Sequence, residues 1–343
     1  MFRSAVIGLG FIGAGDPISA AAIGQSVADL DGTHADALAA NPRVQLIAGS
    51  SRDKGRRERF EERSHCKTFA DWREMLVEER PDIVSVATNS SFHSEITSAC
   101  AVAGVRAVFC EKPIATRLVD ADRAIRTCHE KKTILAVNHN RRWHPLWCAV
   151  RNELQQGTIG EIYHALVHWS TGRLGNIGTH MFDALRMLVG AEATSVSGVL
   201  DPTFAPDCRG AQFRDPGGWG VITFSNGVKA FVDASQTAKL PFGVCIVGRL
   251  GQLSIRKSDA VVELWNGKSW AISTLTDGRS SMDRAVDDIV RCLTSDQRPA
   301  STGGDGLAAL EMIMGFHVSD QFCGRRVSLP MADKNRELEV CIG

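Results

Sequence analysis

The sequence has no run of about 20 consecutive apolar residues, the length that a membrane-spanning helix needs. It also has no C-x-x-C pair and no Cys/His spacing typical of a metal site. Lysine plus arginine and aspartate plus glutamate each number 39, so the formal net charge is zero, which argues against a nucleic-acid binder. We therefore predict no metal, no nucleic-acid partner and no membrane partner.

Ten cysteines are scattered along the chain, some of them with apolar neighbours, as at Cys110 and Cys245. Free thiols in such surroundings behave as small hydrophobic groups and are typical of a reducing compartment. The N-terminal apolar run is broken by Gly8 and is too short for a signal peptide. We expect a cytoplasmic protein. Its 343 residues, 44% of them hydrophobic, leave room for two well-packed domains.

A G-x-G-x-x-G pattern occupies residues 8–13, directly after a short apolar run at residues 4–7. Glycines at this spacing allow a tight turn, close approach of a pyrophosphate to the backbone, and close packing of a helix on a strand. The pattern predicts a dinucleotide-binding loop, with cofactor contacts from Gly8, Gly10, Phe11, Ile12 and Gly13.

The first crossover helix is interrupted. Gly15, Asp16 and Pro17 break the helical pattern, and a further turn follows at residues 29–32. Helical patterning resumes at Thr33. We interpret residues 14–32 as an insertion, which either overhangs the cofactor or the substrate or is a surface excursion.

The second predicted strand, residues 44–49, ends in Ser50, Ser51 and Arg52. An acid at this point normally accepts hydrogen bonds from the adenosine ribose and repels a 2′-phosphate. Hydroxyls and a guanidinium instead suit a 2′-phosphate, so the sequence favours NADP over NAD, with contacts from Ser51 and Arg52. Arg56 and Arg57 add positive charge nearby, although we place them on a solvated helix face.

Two further apolar runs end in polar residues. Residues 82–87 lead to Thr88, Asn89 and His93, and residues 107–110 lead to Glu111-Lys112-Pro113. Ligands of open α/β sheets bind outside the carboxyl ends of the strands. We predict that Thr88 and Asn89 contact the nicotinamide ribose, and that His93 either joins them or anchors the following helix. We also assign Glu111 and Lys112, at the second of these strand ends, to the cofactor site.

These motifs together resemble the Gfo/Idh/MocA oxidoreductase family. The resemblance rests on the glycine loop, on Thr88-Asn89 with His93, on Glu111-Lys112-Pro113, and on the Arg-Arg-Trp-His-Pro run at residues 141–145. It continues through residues 157–162 and 176–183 and ends near residues 327–330, so it covers nearly the whole chain.

The resemblance implies a Rossmann domain at residues 1–140, followed by an α+β domain at residues 141–343 with a large open, mostly antiparallel sheet. It also implies that the open sheet face joins subunits into a dimer or tetramer. The helical pattern at residues 305–316 predicts a final helix, which we expect to pack back on the first domain. Family members mostly oxidise or reduce a hydroxyl carbon of a sugar, inositol or sugar nucleotide with NAD(P). Some relatives are instead hydrolases or lyases that keep the dinucleotide bound, and a non-catalytic sensor is a further alternative.

In family members the lysine of Glu-Lys-Pro contacts the substrate oxygen, and an acid and a histidine four residues apart complete the site. The resemblance therefore assigns Lys112 and His180 to catalysis, but Asn176 stands at the acidic position. Asparagine hydrogen-bonds a hydroxyl without holding a proton, and it is also a favoured helix N-cap. Without the family pattern, a buried core histidine is the alternative interpretation of His180. The predicted substrate contacts are Arg142, Trp143, Asn176, His180 and Asp183.

Overall fold

The computed structural model describes residues 1–202, 207, 209–210, 212–236, 241–256, 258–274 and 277–342. The chain divides into two compact units. The first comprises Met1–Trp143 and Gly278–Gly306, and the second comprises His144–Asp277 and Leu307–Gly343. The units therefore differ from a single division at 140/141, because residues 278–306 return to the first unit. In the described part of the chain, no helix combines the length and the apolar character that crossing a membrane takes.

The first unit is built on a six-stranded parallel sheet with the order β3-β2-β1-β4-β5-β6. The neighbouring strands β4 and β5 are buried at every residue, as expected when helices cover both faces of a parallel sheet. The strand order reverses between β1 and β4, where doubly wound sheets bind their ligands. The strands are β1 (Phe2–Ile7), β2 (Val44–Ser50), β3 (Lys67–Phe69), β4 (Ile83–Val86), β5 (Ala107–Cys110) and β6 (Ile134–Val137).

The crossover from β1 to β2 is broken into short helices, as the sequence predicts. The first ends at Gly15, which has a left-handed φ of 63°, and Asp16 caps the next by accepting from the backbone N–H of Ser19. A third begins after Thr33, whose side chain accepts from the N–H of Asp36. The helices in this part of the chain are α1 (Phe11–Ala14), α2 (Pro17–Ala22), α3 (His34–Ala40), α4 (Lys54–Ser64), α5 (Trp72–Glu79), α6 (His93–Val102) and α7 (Leu118–Lys131).

The second unit holds a nine-stranded sheet with the order β14-β13-β12-β11-β7-β10-β9-β8-β15. Neighbouring strands pair antiparallel, except that β10 pairs with β7 in parallel, so the predicted open, mostly antiparallel sheet is confirmed. Its elements are α8 (Pro145–Gln155), β7 (Ile162–His168), α9 (Gly178–Val189), β8 (Ala193–Leu200), β9 (Gly218–Phe224), β10 (Lys229–Asp233), β11 (Gly243–Gly248), β12 (Gly251–Ile255), β13 (Ala260–Leu264), β14 (Ser269–Ala271) and β15 (Val327–Ser328).

The segment that returns to the first unit carries helix α10 (Ser281–Cys292). Its apolar side joins the core of that unit through Met282, Val286 and Ile289. The backbone N–H of Ser281 donates to Asp31 over 3.0 Å, which ties the end of the inserted segment to this helix. The long helix α11 (Gly303–Gln321), by contrast, lies in the second unit from Leu307 onward, and α12 (Asp333–Arg336) follows it there.

Candidate dinucleotide and substrate site

The glycines of the loop at residues 8–13 have different structural roles. A Cβ on Gly8 would lie 2.3 Å from the carbonyl oxygen of Ala87, and one on Gly13 would lie 1.9 Å from that of Gly8. These two positions therefore require glycine for the fold itself. A Cβ on Gly10 would instead meet the Arg56 guanidinium at 3.6 Å, an ordinary contact. The space over Gly10 is a cradle that a side chain would fill, and it fits a bound pyrophosphate.

Phe11 and Ile12 open the short helix α1, directly after Gly10. Both side chains are partly buried, and Ile12 packs against the core of the first unit. Their backbone N–H groups follow the cradle over Gly10, which is consistent with the predicted cofactor contacts. The structure therefore keeps all five predicted loop residues together at the end of β1.

The arginines on one face of α4 lie against the start of the crossover from β1 to β2. Arg59 pairs with the buried Asp16, Nε to Oδ1 at 2.7 Å, and Arg63 donates to the carbonyl of Gly15. Burial raises the pKa of Asp16, but bonds from Arg59 and Ser19 outweigh it and bring the pKa to about 2. Arg59 and Arg63 thus anchor the inserted segment, and Arg56 on the same face lies over the phosphate loop.

Ser51 and Arg52 follow β2 as predicted. Arg57 donates to the carbonyls of both, at 2.6 Å and 3.0 Å, so it shapes this loop and is not a solvated surface charge. The exposed Arg52 guanidinium lies 5.7 Å from the ring centre of Phe92. Sequence reasoning missed Phe92, because a lone aromatic after a strand carries no motif.

His93 lies at the start of α6 and is 1% exposed. Its Nδ1 is 2.7 Å from the carbonyl oxygen of Pro113, and its Nε2 is 3.0 Å from that of Thr88. Of the two roles open to it, the structure therefore supports the anchor, which here joins the loops after β4 and β5. Thr88 is partly exposed and Asn89 exposed beside it, as cofactor contacts require.

Glu111 and Lys112 directly follow the buried strand β5. The Glu111 carboxylate is 5% exposed and is bonded through Oε1 to His34 Nε2 at 3.0 Å and to Asn138 Nδ2 at 2.5 Å. Its Oε2 accepts from the backbone N–H of Lys112 over 3.1 Å. Burial raises the pKa of Glu111, but His34, the Lys112 charge and Asn138 outweigh it and hold the pKa at about 2. Lys112 itself stays partly exposed, so it can reach a ligand.

Arg142 and Trp143, predicted as substrate contacts, are bound into the first unit. The indole N–H of Trp143 donates to Asp288 over 2.9 Å, and its ring is buried against Phe109. Arg142 donates to the carbonyl of Ala300 and forms an ion pair with Asp305 at 3.0 Å. This placement corrects the prediction for Trp143: the ring is enclosed by the core and fastens the returning segment.

In the second unit, helix α9 carries His180 and Asp183. It begins at Gly178 and has Ile177 at its N-cap, so Asn176 lies one residue before the cap and is not the cap itself. His180 is partly exposed, which argues against a core histidine, while Asp183 is fully buried. The complete burial of Asp183 disfavours the predicted contact with a substrate.

A buried carboxylate holds the backbone just before α9. Asp215 accepts from the backbone N–H groups of Gly175 and Asn176, at 2.6 Å and 2.8 Å. Burial raises the pKa of Asp215, and these two bonds and the Arg173 charge oppose that rise. Sequence reasoning missed this residue, because it lies 39 positions from Asn176 and no local pattern marks it.

A Rossmann sheet of this order, with a glycine loop after β1 and a lysine after β5, defines a dinucleotide-binding oxidoreductase fold. The model of the oxidoreductase family with an NAD-binding Rossmann fold (GFO/IDH/MocA) matches residues 2–139, and the model of the GFO/IDH/MocA C-terminal domain matches residues 147–254. The chain belongs to the Gfo/Idh/MocA oxidoreductase family.

Relatives in the family have assigned activities. The chain is 26% identical over 273 residues to a myo-inositol 2-dehydrogenase of Thermotoga maritima, covering 73% of this chain and 80% of that protein. It is 27% identical over 271 residues to a 1,5-anhydro-D-fructose reductase of Ensifer adhaerens, covering 71% and 79%. The structure of an aldose-aldose oxidoreductase from Caulobacter crescentus, complexed with glycerol, superposes with a TM-score of 0.79 at 20% identity over 96% of this chain and 99% of that one. This last similarity shows the fold.

Proposed function

We propose that the protein is an NAD(P)-dependent oxidoreductase that transfers hydride between the nicotinamide and a hydroxyl or keto carbon of a sugar, inositol or sugar nucleotide. The proposal rests on the position of Lys112. This residue lies at the end of β5 beside an ionised Glu111, and the same sheet carries the cradle over Gly10. The names of the relatives, which act on inositol and anhydrofructose, support a polyhydroxylated substrate.

The dinucleotide, when bound, supplies the hydride chemistry. We assign to Lys112 the polarisation of the substrate oxygen, because an ammonium group stabilises negative charge that develops there. We assign to His180 the transfer of the hydroxyl proton, because imidazole titrates near neutral pH and this side chain is accessible. Asn176 hydrogen-bonds the substrate without exchanging a proton.

Asp215 does not take the place of the missing acid at position 176. Both of its oxygens accept backbone N–H groups, at 2.6 Å and 2.8 Å, so its role is to hold the chain that leads into α9. We therefore propose that His180 carries the proton transfer without an acidic partner at position 176.

A panel of inositols, aldoses and sugar nucleotides with NADP or NAD, followed at the absorbance of the reduced nicotinamide, tests the proposed function. Turnover with at least one of these compounds supports it. Product formation with no net change in the dinucleotide would favour a hydrolase or lyase that retains its cofactor. Dinucleotide binding with no turnover across the panel would favour a sensor.

We propose NADP as the preferred cofactor, with NAD as the alternative. The end of β2 and the two residues after it, Ser50-Ser51-Arg52, contain no carboxylate, and Arg52 is exposed there. A guanidinium at this point favours a 2′-phosphate, since arginine binds phosphate in a forked geometry.

Replacing Arg52 by alanine is expected to weaken NADPH binding by roughly tenfold, the effect of one charge-assisted bond lost. NADH lacks the 2′-phosphate, so its dissociation constant should change by less than about threefold. Fluorescence titration of both nucleotides measures this. The exposed Arg126 in α7, replaced by alanine, is the control for loss of charge. Equal weakening of both nucleotides would contradict the NADP assignment.

We also propose a homo-oligomer formed through the open face of the nine-stranded sheet. Leu166, Phe231, Val221 and Cys245 lie in one row across β7, β10, β9 and β11. Phe231 is 44% exposed, and Trp219 on the same face of β9 is 58% exposed. Large apolar side chains in register on one face are typical of a surface that another subunit covers.

Substituting lysine for Phe231 is expected to convert the oligomer to monomer, because it places a charge in the middle of the apolar row. Light scattering after size-exclusion chromatography measures the mass. Val102 in α6, which is 64% exposed, supplies a matched control as Val102→Lys. A wild-type monomer, or an oligomer that survives Phe231→Lys unchanged, would count against this interface.

A further inference from the structure

A fully buried histidine bonds the Glu-Lys-Pro segment from outside it. His34 is the first residue of α3 and follows the inserted segment. Its ring packs on Phe109 of β5 with the centroids 4.6 Å apart, and its Nε2 lies 3.0 Å from Glu111 Oε1. A buried carboxylate needs such a partner, because transferring a charged group out of water without a hydrogen-bonding partner costs free energy.

The segment is held at both ends. Glu111 is fixed by His34 and Asn138, and the carbonyl of Pro113 is fixed by His93 Nδ1 at 2.7 Å. Lys112 lies between these two anchors, and its backbone N–H donates to Glu111 Oε2. The backbone of the lysine is therefore set by groups that are all buried, while its side chain is partly exposed.

Several ionisable groups among the described residues interact with the Glu111 charge. They include His34 from α3, His93 from α6, Cys110 from β5 and the neighbouring Lys112. Burial raises the pKa of the Cys110 thiol, so that group stays neutral, and burial lowers the pKa of His93. Lys112 and Glu111 carry opposite charges side by side in the segment, and the Lys112 charge acts on Glu111.

We propose that His34 is a positioning residue for Lys112: it holds the Glu111 carboxylate ionised and in place, and the carboxylate in turn keeps the lysine ammonium charged. The catalytic importance of this arrangement rests on the proposed function, whereas the arrangement itself does not. Nothing in the glycine loop or the Glu-Lys-Pro motif identifies His34, which is reached only after the insertion at residues 14–32.

The charge of Lys112 can be measured in the protein without cofactor by its rate of amine labelling, read by peptide mass spectrometry, with exposed Lys131 as internal standard. In Glu111→Gln, we expect labelling of Lys112 at pH 6.5 to be roughly tenfold faster, because loss of an adjacent opposite charge lowers a lysine pKa by about one unit. In His34→Leu, burial without a partner raises the pKa of Glu111, so labelling is also faster at pH 6.5 and returns to the wild-type rate as Glu111 ionises at higher pH.

The variant His34→Gln keeps an N–H donor toward Glu111 and is expected to label Lys112 as the wild type does. His129→Gln, an exposed histidine in α7, is the control for loss of an imidazole. Wild-type labelling in either Glu111→Gln or His34→Leu would overturn the proposal. If His34→Leu does not fold, wild-type labelling in Glu111→Gln or altered labelling in His34→Gln overturns it. Absence of turnover in the wild type would overturn the proposed function alone.

Discussion

Replacing Lys112 by alanine is expected to lower kcat by roughly 10³-fold, because a single preorganised charge at the reacting oxygen contributes on that order. Lys112 is placed for this role by the buried strand β5 and by the bonds on Glu111, and its own side chain stays partly exposed. The phosphate loop lies elsewhere in the sheet, so the variant should still bind dinucleotide. Steady-state turnover with the best substrate of the panel, together with a dinucleotide titration, measures both quantities.

The exposed Lys131 in α7, replaced by alanine, provides the matched control and should leave kcat unchanged. The variant Lys112→Arg should recover little of the wild-type kcat, since the arginine side chain is longer and spreads its charge over a planar guanidinium. Turnover in Lys112→Ala within threefold of the wild-type value would exclude the role we assign to this residue.

The second large effect separates the glycines of the phosphate loop. Gly10→Ala is expected to weaken dinucleotide binding by roughly 100-fold, about 2.8 kcal/mol, while leaving the melting temperature unchanged. The reason is that the protein has room for a Cβ there, with the nearest atom at 3.6 Å, whereas a bound pyrophosphate needs the same space.

Gly13→Ala should behave differently. Its Cβ would lie 1.9 Å from the carbonyl oxygen of Gly8, which is backbone and cannot move aside cheaply. We expect a loss of about 3 kcal/mol in the free energy of unfolding, as overpacking a rigid site costs. Thermal melts and nucleotide titrations on the two variants measure this. Equal loss of stability in both would show that Gly10 also serves the fold.

Most of the first unit follows from local sequence. Its strands are short apolar runs that end at glycine or polar residues, and the apolar run at residues 107–110 has the same bounds as β5. Buried parallel strands are recognisable in this way because both of their faces need apolar side chains. The interruption of the first crossover was visible for a similar reason, since Gly15 and Pro17 cannot continue a helix.

The remaining features depend on contacts between distant residues. Trp143 looked like a substrate contact within its motif, but its partner Asp288 is 145 residues away. His34 and Glu111 are 77 residues apart, and Asp215 and Asn176 are 39 apart. Such pairs form when distant elements pack together, and the periodicity of either segment alone does not predict that packing. For the same reason the sequence placed Arg57 on a solvated face, whereas it donates to the loop after β2.

The central claim is that this chain itself transfers hydride between a polyol carbon and the nicotinamide. It is tested most directly with an inositol or aldose deuterated at the carbinol carbon, incubated with NADP and the wild-type protein. We predict one deuterium in the reduced nicotinamide, detected by mass spectrometry, and transfer that is roughly 10³-fold slower when Lys112→Ala replaces the wild type. Product formation with no deuterium in the nicotinamide, or equal transfer by the two proteins, would contradict the account.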